Sequence, residues 1–257
     1  MIDSHCHLQY KGLVEEQADV LARAREAGVR GFLNISTKRS EWSDVIATAA
    51  REGDVWASAG IHPHEADGHI DLTEEVLYEA ASQPRVIGIG ETGLDYYYEN
   101  SDRDAQKALF RRHIAVAREL SLPVIIHTRD AEADTLEILE DEMEKGAFPA
   151  LIHCFTASQD FGDQVLALGL SISISGIVTF KNAKDLQAVA KTIPRDRLLI
   201  ETDSPFLAPV PKRGKTCEPA YVAHTAAFLA ALRGDTVEEL TDYTTRNFFS
   251  LFSKAAV

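Results

Sequence analysis

Cysteine is scarce in this chain. There are three, Cys6, Cys154 and Cys217, odd in number and widely spread. That is not the pattern of a disulfide framework, so reduced thiols in a cytoplasmic protein are expected. Long apolar runs are missing as well. No stretch of about 18 uncharged apolar residues occurs, which excludes a membrane-spanning helix. The first residues lack a basic segment followed by an apolar run, so no secretory leader is expected. Positive charge is in deficit: 26 Lys and Arg stand against 40 Asp and Glu, for a formal net charge of −14. A wide basic face for duplex DNA is thereby excluded, although bound metal ions can invert the field locally. Pro/Ser-rich linkers, low-complexity tracts and strongly self-similar repeats are also lacking, and residues 1–257 are read as one domain.

What is present is an alternation. Short apolar, β-branched runs ("MIDSHCH", "VRGFLNIS", "VWASAGIH", "RVIGIGE", "LPVIIHTR", "PALIHCF", "LSISISG", "DRLLIETD") are separated by longer amphipathic ones such as "RDAQKALFRRHIAVARELS". Each of the eight strand candidates is followed by a helix candidate, and two helices follow the last. Alternating strands and helices predict βαβ units and a parallel sheet. Eight units in about 250 residues predict an α/β fold of the (β/α)8 TIM-barrel type. An open, doubly wound sheet is the alternative.

The histidines are not scattered over this pattern. Of nine, six fall at or just after a predicted strand end: His5, His7, His62, His64, His127 and His153. His69, His113 and His224 lie in a loop or on helices, where surface or packing roles are expected. Glu91 ends the predicted fourth strand and Asp203 follows the eighth. In such a barrel the C-terminal strand ends converge on one face, which carries the active site. Residues i and i+2 of a strand share a side, so His5 and His7 can chelate one ion. A lone H-x-H is weak evidence, and a lone carboxylate there can be a helix cap. His5, His7, Glu91, His127, His153 and Asp203, delivered to one mouth by five strands, are read as a metal site.

Four imidazoles and two carboxylates exceed one tetrahedral site. Two divalent ions are expected, with His5, His7 and Asp203 on one, His127 and His153 on the other, and Glu91 bridging. Zinc or manganese suits this donor set better than magnesium. Asp203 and Glu91 are the catalytic candidates, Asp203 as acceptor of the proton of an attacking water.

Taken together, "DSHCHL" (3–8), "GIHPH" (60–64), "GETGLDYY" (90–97), "PVIIHTRDA" (123–131), "IHCF" (152–155) and "ETDSPFLAP" (201–209) resemble the TatD-type metal-dependent deoxyribonucleases, a branch of the amidohydrolase-like barrel superfamily. The resemblance spans nearly the whole chain. It implies hydrolysis of DNA phosphodiesters by divalent metal ions, as a 3′→5′ exonuclease on single strands, in repair or DNA breakdown. It also implies that His5, His7, Glu91, His127, His153 and Asp203 are metal ligands, and that His62 and His64 meet the substrate phosphate or a further ion. One departure is visible in "KRGKTCEP" (212–219), where Cys217 takes a position at which the family often has Asn. Packing is the expected role of Cys217.

Nucleic acid must be held by few cations. Arg129, next to the His127 strand end, and Arg213, with Lys212 and Lys215 in the loop after the last strand, are the substrate-binding candidates. Tyr96, Tyr97, Tyr98, Phe155 and Phe206 either stack unpaired bases or belong to the core. An acidic protein with a small metal-centred cleft suits a strand end, so the expected partner is DNA with single-stranded 3′ ends. Neither a membrane nor an obligate protein partner is expected. An amidohydrolase-type hydrolase of a small ester, amide or phosphoester shares the barrel and the H-x-H. A non-catalytic metal scaffold is the third possibility.

Overall fold

In the computed structural model, which describes residues 1–256, the expected alternation is realised. The strands are β1 (Asp3–Cys6), β2 (Phe32–Asn34), β3 (Val55–Ala59), β4 (Val86–Asp95), β5 (Val124–Arg129), β6 (Ala150–Ile152), β7 (Ser171–Ile174) and β8 (Leu198–Ile200). Helices α1 (Gln17–Glu26), α2 (Trp42–Arg51), α3 (Glu74–Ala81), α4 (Arg103–Leu120), α5 (Glu132–Lys145), α6 (Gln159–Ala167) and α7 (Lys184–Thr192) connect successive strands. Helices α8 (Val222–Arg233) and α9 (Val237–Leu251) follow β8. The sheet runs β1 to β8 in chain order with every neighbouring pair parallel. A doubly wound sheet reverses its order at a switch point; this one does not, and the fold is a (β/α)8 barrel.

The seam closes just past the strand ends. Cys6 and Ser204 form a parallel bridge. The Asp203 amide donates to the His5 carbonyl at 2.9 Å, and the His7 amide to the Ser204 carbonyl at 2.8 Å. The buried Asp3 carboxyl accepts the Thr202 amide at 2.9 Å and the Thr202 hydroxyl at 2.6 Å. Burial pushes Asp3 up to about 8, with the Thr202 bonds opposing. The same contacts that close the barrel therefore bring Asp203 to His5 and His7.

Period-2 alternation divides each strand between two cores. Val124, Ile126, Ala150, Ile152, Leu198 and Ile200 belong to the large cluster shared with the helices. Their neighbours Leu33, Ile87, Ile125, Leu151 and Leu199 pack with one another inside the barrel, plugged from below by Phe248 and Phe252. Two residues further along the same inward rows lie His127, His153 and Glu201. One inward layer is thus aliphatic, and the next toward the strand ends carries the chemistry.

Strand β4 departs from expectation. Glu91 does not end it; the strand runs on to Asp95, pairing Thr92 with Ile126 and Asp95 with Arg129. The pairing jumps from Ile89 opposite Val124 to Thr92 opposite Ile126, so three steps on β4 face two on β5. This bulge re-aims Glu91 into the barrel mouth. Glycine makes the close approach possible: a Cβ on Gly93 (φ +131°) would lie 2.0 Å from the His127 carbonyl oxygen. Gly93→Ala should therefore cost at least about 2 kcal/mol of stability, because both backbone and neighbour must move. Gly68→Ala, with nothing within 4 Å of the added carbon, should be nearly neutral. Thermal or urea unfolding of the two variants is the measurement, and equal midpoints would contradict the crowding.

Candidate metal centre

The inward row places five imidazoles around one carboxylate. Glu91 is 3% exposed. Its Oε2 lies 3.3 Å from His5 Nε2 and 3.9 Å from His7 Nε2. The same two nitrogens are 3.3 Å apart and stand 3.7 and 3.4 Å from Asp203 Oδ1. Ligand atoms of a tetrahedral ion with bonds of 2.0–2.1 Å are separated by roughly 3.3 Å. The other oxygen, Oε1, faces a second set: His153 Nε2 at 2.7 Å, His127 Nδ1 at 3.2 Å and His62 Nε2 at 3.5 Å. Donor atoms fall into three groups compact enough for an ion: His5–His7–Asp203, His5–Glu91–His153 and His62–Glu91–His127.

The outward ring nitrogens decide which imidazoles offer a lone pair. A neutral imidazole has one N–H and one acceptor nitrogen. His7 Nδ1 donates to the Ile35 carbonyl at 3.0 Å, His127 Nε2 to Asp95 Oδ2 at 2.9 Å, and His153 Nδ1 to Glu201 Oε1 at 3.3 Å. Each then turns its other nitrogen toward carboxylate oxygen, an arrangement that either a proton on the ring or a metal cation between the two satisfies. This is how ligand histidines are held. The donor set fits divalent ions. His62 is the reverse. Its Nδ1 accepts the His64 amide N–H at 3.1 Å, so the neutral ring carries its proton on Nε2, toward Glu91. Burial lowers its pKa well below the usual imidazole value despite the Glu91 charge. His62 thus turns its Nε2–H toward Glu91 Oε1, 3.5 Å away.

Two carboxylates behind the histidines have no role assigned from sequence. Asp95 Oδ2 receives both His127 and His64 Nε2, the latter at 2.8 Å, and its Oδ1 accepts the Tyr97 and Tyr98 amides at 3.0 and 3.1 Å. Burial opposes its charge, but the two histidines outweigh burial and hold its carboxyl far below the ordinary range. Glu201 is fully buried and takes a second hydrogen bond from the Ser173 hydroxyl. Both lie inside quoted motifs, "GETGLD" and "ETDSP". The available signal was an acidic residue on an inward row, legible only once the rows are known.

A cleft of about 720 Å³ opens above the centre, with His7, Glu91, His127, His153 and Asp203 in its lining. His62, His64 and Arg129 also line it. Arg129 packs its guanidinium over Tyr97 at 4.0 Å and Tyr98 at 4.8 Å. Arg213 stands apart, exposed and stacked over Phe180 at 4.3 Å. Tyr98 and Phe206 line the cleft half-exposed, whereas Phe155 is buried core. Tyr96 turns away, its hydroxyl on Asp134 at 2.6 Å. Cys217 is buried, its amide on the Pro205 carbonyl. His113 is buried with its Nε2 accepting the Ile61 amide, so it anchors the loop of His62.

Residues 2–253 match the family described as TatD related DNase. The chain belongs to this family. It is 44% identical to an uncharacterized metal-dependent hydrolase, YcfH, of Escherichia coli strain K12, over 98% of this chain and 95% of that one. It is 35% identical to a protein named 3′-5′ ssDNA/RNA exonuclease TatD in Klebsiella pneumoniae, over 98% and 97%. Among solved structures, the TatD homologue YJJV of Escherichia coli K12 superposes with a TM-score of 0.92 at 27% identity, covering 98% of each chain. In this TatD-family chain no helix among the described residues is long and apolar enough to cross a membrane. All three cysteines are free.

If Asp95 and Glu201 fix the ring tautomers, removing their charge should weaken ion binding without touching a ligand. Asp95→Asn and Glu201→Gln should each reduce affinity for manganese or zinc by about 10- to 100-fold. Competition against a chelator measures this, and unchanged affinity in both variants would sink the assignment.

Proposed function

We propose that this chain is a metal-dependent deoxyribonuclease, a 3′→5′ exonuclease on single-stranded DNA, working with two divalent ions over Glu91. The observation that carries this reading is the division of donors between the two Glu91 oxygens. His5, His7 and Asp203 would hold one ion with Oε2; His127 and His153 would hold the other with Oε1. Zinc or manganese suits these nitrogen and carboxylate donors, with magnesium the weaker match. Two such ions, when bound, supply positive charge to the entering and leaving oxygens of a displacement at phosphorus and activate the attacking water.

The side chains do the rest. Asp203 lines the cleft with Oδ1 on the histidine pair, and it accepts the proton of the attacking water. Glu91 fixes the separation of the two donor sets. His62 points its N–H into the centre, toward a phosphoryl oxygen; His64, whose Nε2–H is taken by Asp95, stands on the cleft wall with Nδ1 free for a further ion. Arg129 meets phosphate at the rim. Arg213 meets only the part of a strand that runs beyond the cleft. The single-strand preference is supported by the net charge of −14, which disfavours a long duplex, and by the name of the Klebsiella pneumoniae relative. The three free thiols agree with action in the cytoplasm.

The test is digestion of a 5′-labelled single-stranded oligonucleotide after metal removal and separate return of magnesium, manganese and zinc. A ladder shortening from the 3′ end, restored by an ion and absent in His5→Ala and Glu91→Ala, is expected. Asp203→Asn should slow the reaction by about 10²- to 10⁴-fold and lower metal content less than the rate. No digestion with any ion, in protein that holds metal, would move the function to a small-molecule hydrolase.

A pH dependence follows. In the ion-free protein burial works against charged His7, His127 and His153, but Asp203, Asp95, Glu91 and Glu201 outweigh it and raise all three pKa values. Raised values keep protons on these rings to higher pH than on a free imidazole, and an ion must displace them. Affinity should rise with pH, and binding should release protons. Calorimetry in buffers of different ionisation enthalpy reads that release directly. Binding without proton release would contradict the raised values.

A further inference from the structure

The half-exposed rings at the cleft mouth remain unexplained by the metal chemistry. Tyr98 is 52% and Phe206 50% exposed, and both line the cleft. Exposed aromatic rings lining a cleft around a few convergent polar groups are the usual composition of a ligand site. The two rings belong to opposite sides of the centre. Phe206 meets His7 edge-on at 6.3 Å and Tyr10 at 6.0 Å, and Tyr10 in turn lies flat against His7 at 4.7 Å. It is therefore on the Glu91 Oε2 side. Tyr98 meets His64 edge-on at 5.3 Å, next to the Asp95–His127 pair on the Oε1 side.

The backbone of each ring residue is also tied to an acidic residue of the site. The Phe206 amide donates to the Asp203 carbonyl at 2.9 Å, and the Tyr98 amide to Asp95 Oδ1 at 3.1 Å. On Tyr98 the Arg129 guanidinium lies 4.8 Å from the ring centroid and bonds the hydroxyl at 3.4 Å, which limits the ring's freedom. Placement follows the metal-site geometry, as it must for a ring that positions substrate.

We propose that Phe206 and Tyr98 are stacking platforms for the two unpaired nucleobases that flank the scissile phosphate. This rests on the nuclease reading and adds to it. The site reads a dinucleotide step at the strand end, needs both bases unpaired, and tolerates any base because every base has a π-face.

The test uses the metal-loaded protein and 5′-labelled oligonucleotides. One ends in normal residues; two carry a single abasic tetrahydrofuran residue, at the 3′-terminal or the penultimate position. In the wild type either abasic residue should raise KM about tenfold, the scale of one lost base–aromatic stack. Phe206→Ala should raise KM on the normal strand and erase the penalty at one position. Tyr98→Ala should erase it at the other, with metal content unchanged in both. Equal KM for normal and abasic strands in the wild type would overturn the stacking while leaving the nuclease reading intact. A variant whose KM rises equally on normal and abasic strands would show a structural role for that ring and overturn its assignment. No digestion of the normal strand would overturn the nuclease reading and the stacking with it.

Discussion

One buried carboxylate sets the requirements of the whole barrel mouth. Glu91 is 3% exposed, and an ionised carboxylate in that position is tolerated only where positive charge or hydrogen bonds meet it. Burial raises its pKa, yet His153 and His62 outweigh burial and bring it well below the usual value. It stays charged, and five imidazoles converge on it. The requirement then passes outward. A ring that turns a bare nitrogen inward needs an acceptor behind it, and His7, His127 and His153 find theirs in Ile35, Asp95 and Glu201. Asp95 in turn needs donors, and the Tyr97 and Tyr98 amides supply them. The shell around the centre is thus a sequence of obligations that begins at one oxygen pair.

The same obligations would reconcile an acidic protein with the anionic substrate proposed for it. A net charge of −14 repels a polyanion at long range. Glu91, Asp95 and Asp203 line the cleft with Glu201 buried behind His153, and the field there is more negative still. Only cations can reverse it. Divalent ions held there would do so over a few ångströms, leaving the rest of the surface unfavourable for a long duplex. On the proposed nuclease reading, local attraction within a repulsive surround would favour a strand end over a strand interior, with no basic groove required.

Much of this was legible in the sequence, and the reasons differ by residue. His5 and His7 are readable because their spacing of two is the strand period. His127 and His153 are readable because each interrupts an apolar strand at its end, where nothing about burial calls for an imidazole. The position of Glu91 within β4 was not readable. Alternation fails across "GIGETG" because the bulge takes an extra residue and glycine leaves no side chain to show the face. Asp95 and Glu201 were hidden among 40 acidic residues; their roles depend on which nitrogen of a ring faces outward. Three consecutive tyrosines look alike in sequence, yet Tyr96 bonds Asp134 while Tyr98 lines the cleft. Arg213 was placed by its charge, but the Phe180 ring beside it governs where it lies.

The two-layer interior explains how the site can hold unfavourable backbone. Asp130, Cys154 and Asp203, each just beyond a site-bearing strand, have φ of +51°, +44° and +58°. Left-handed conformation in a residue with a side chain costs on the order of 1 kcal/mol or more. Each lets the chain leave its strand sharply, so that Arg129, His153 and the seam residue Asp203 itself face the cleft. That cost falls on the layer that does chemistry. The stability that offsets it comes from elsewhere: the aliphatic inward layer closed by Phe248 and Phe252, and the cluster shared with the helices. Because the two layers occupy successive positions on the same inward rows, rigidity below is transmitted directly to side chains above. Ile125 and His127 lie on one inward row, as do Leu151 and His153. A strand locked by its aliphatic residue cannot slip by one position without turning its histidine out of the barrel. The packing that holds the barrel together is therefore also what holds its ligand atoms in register.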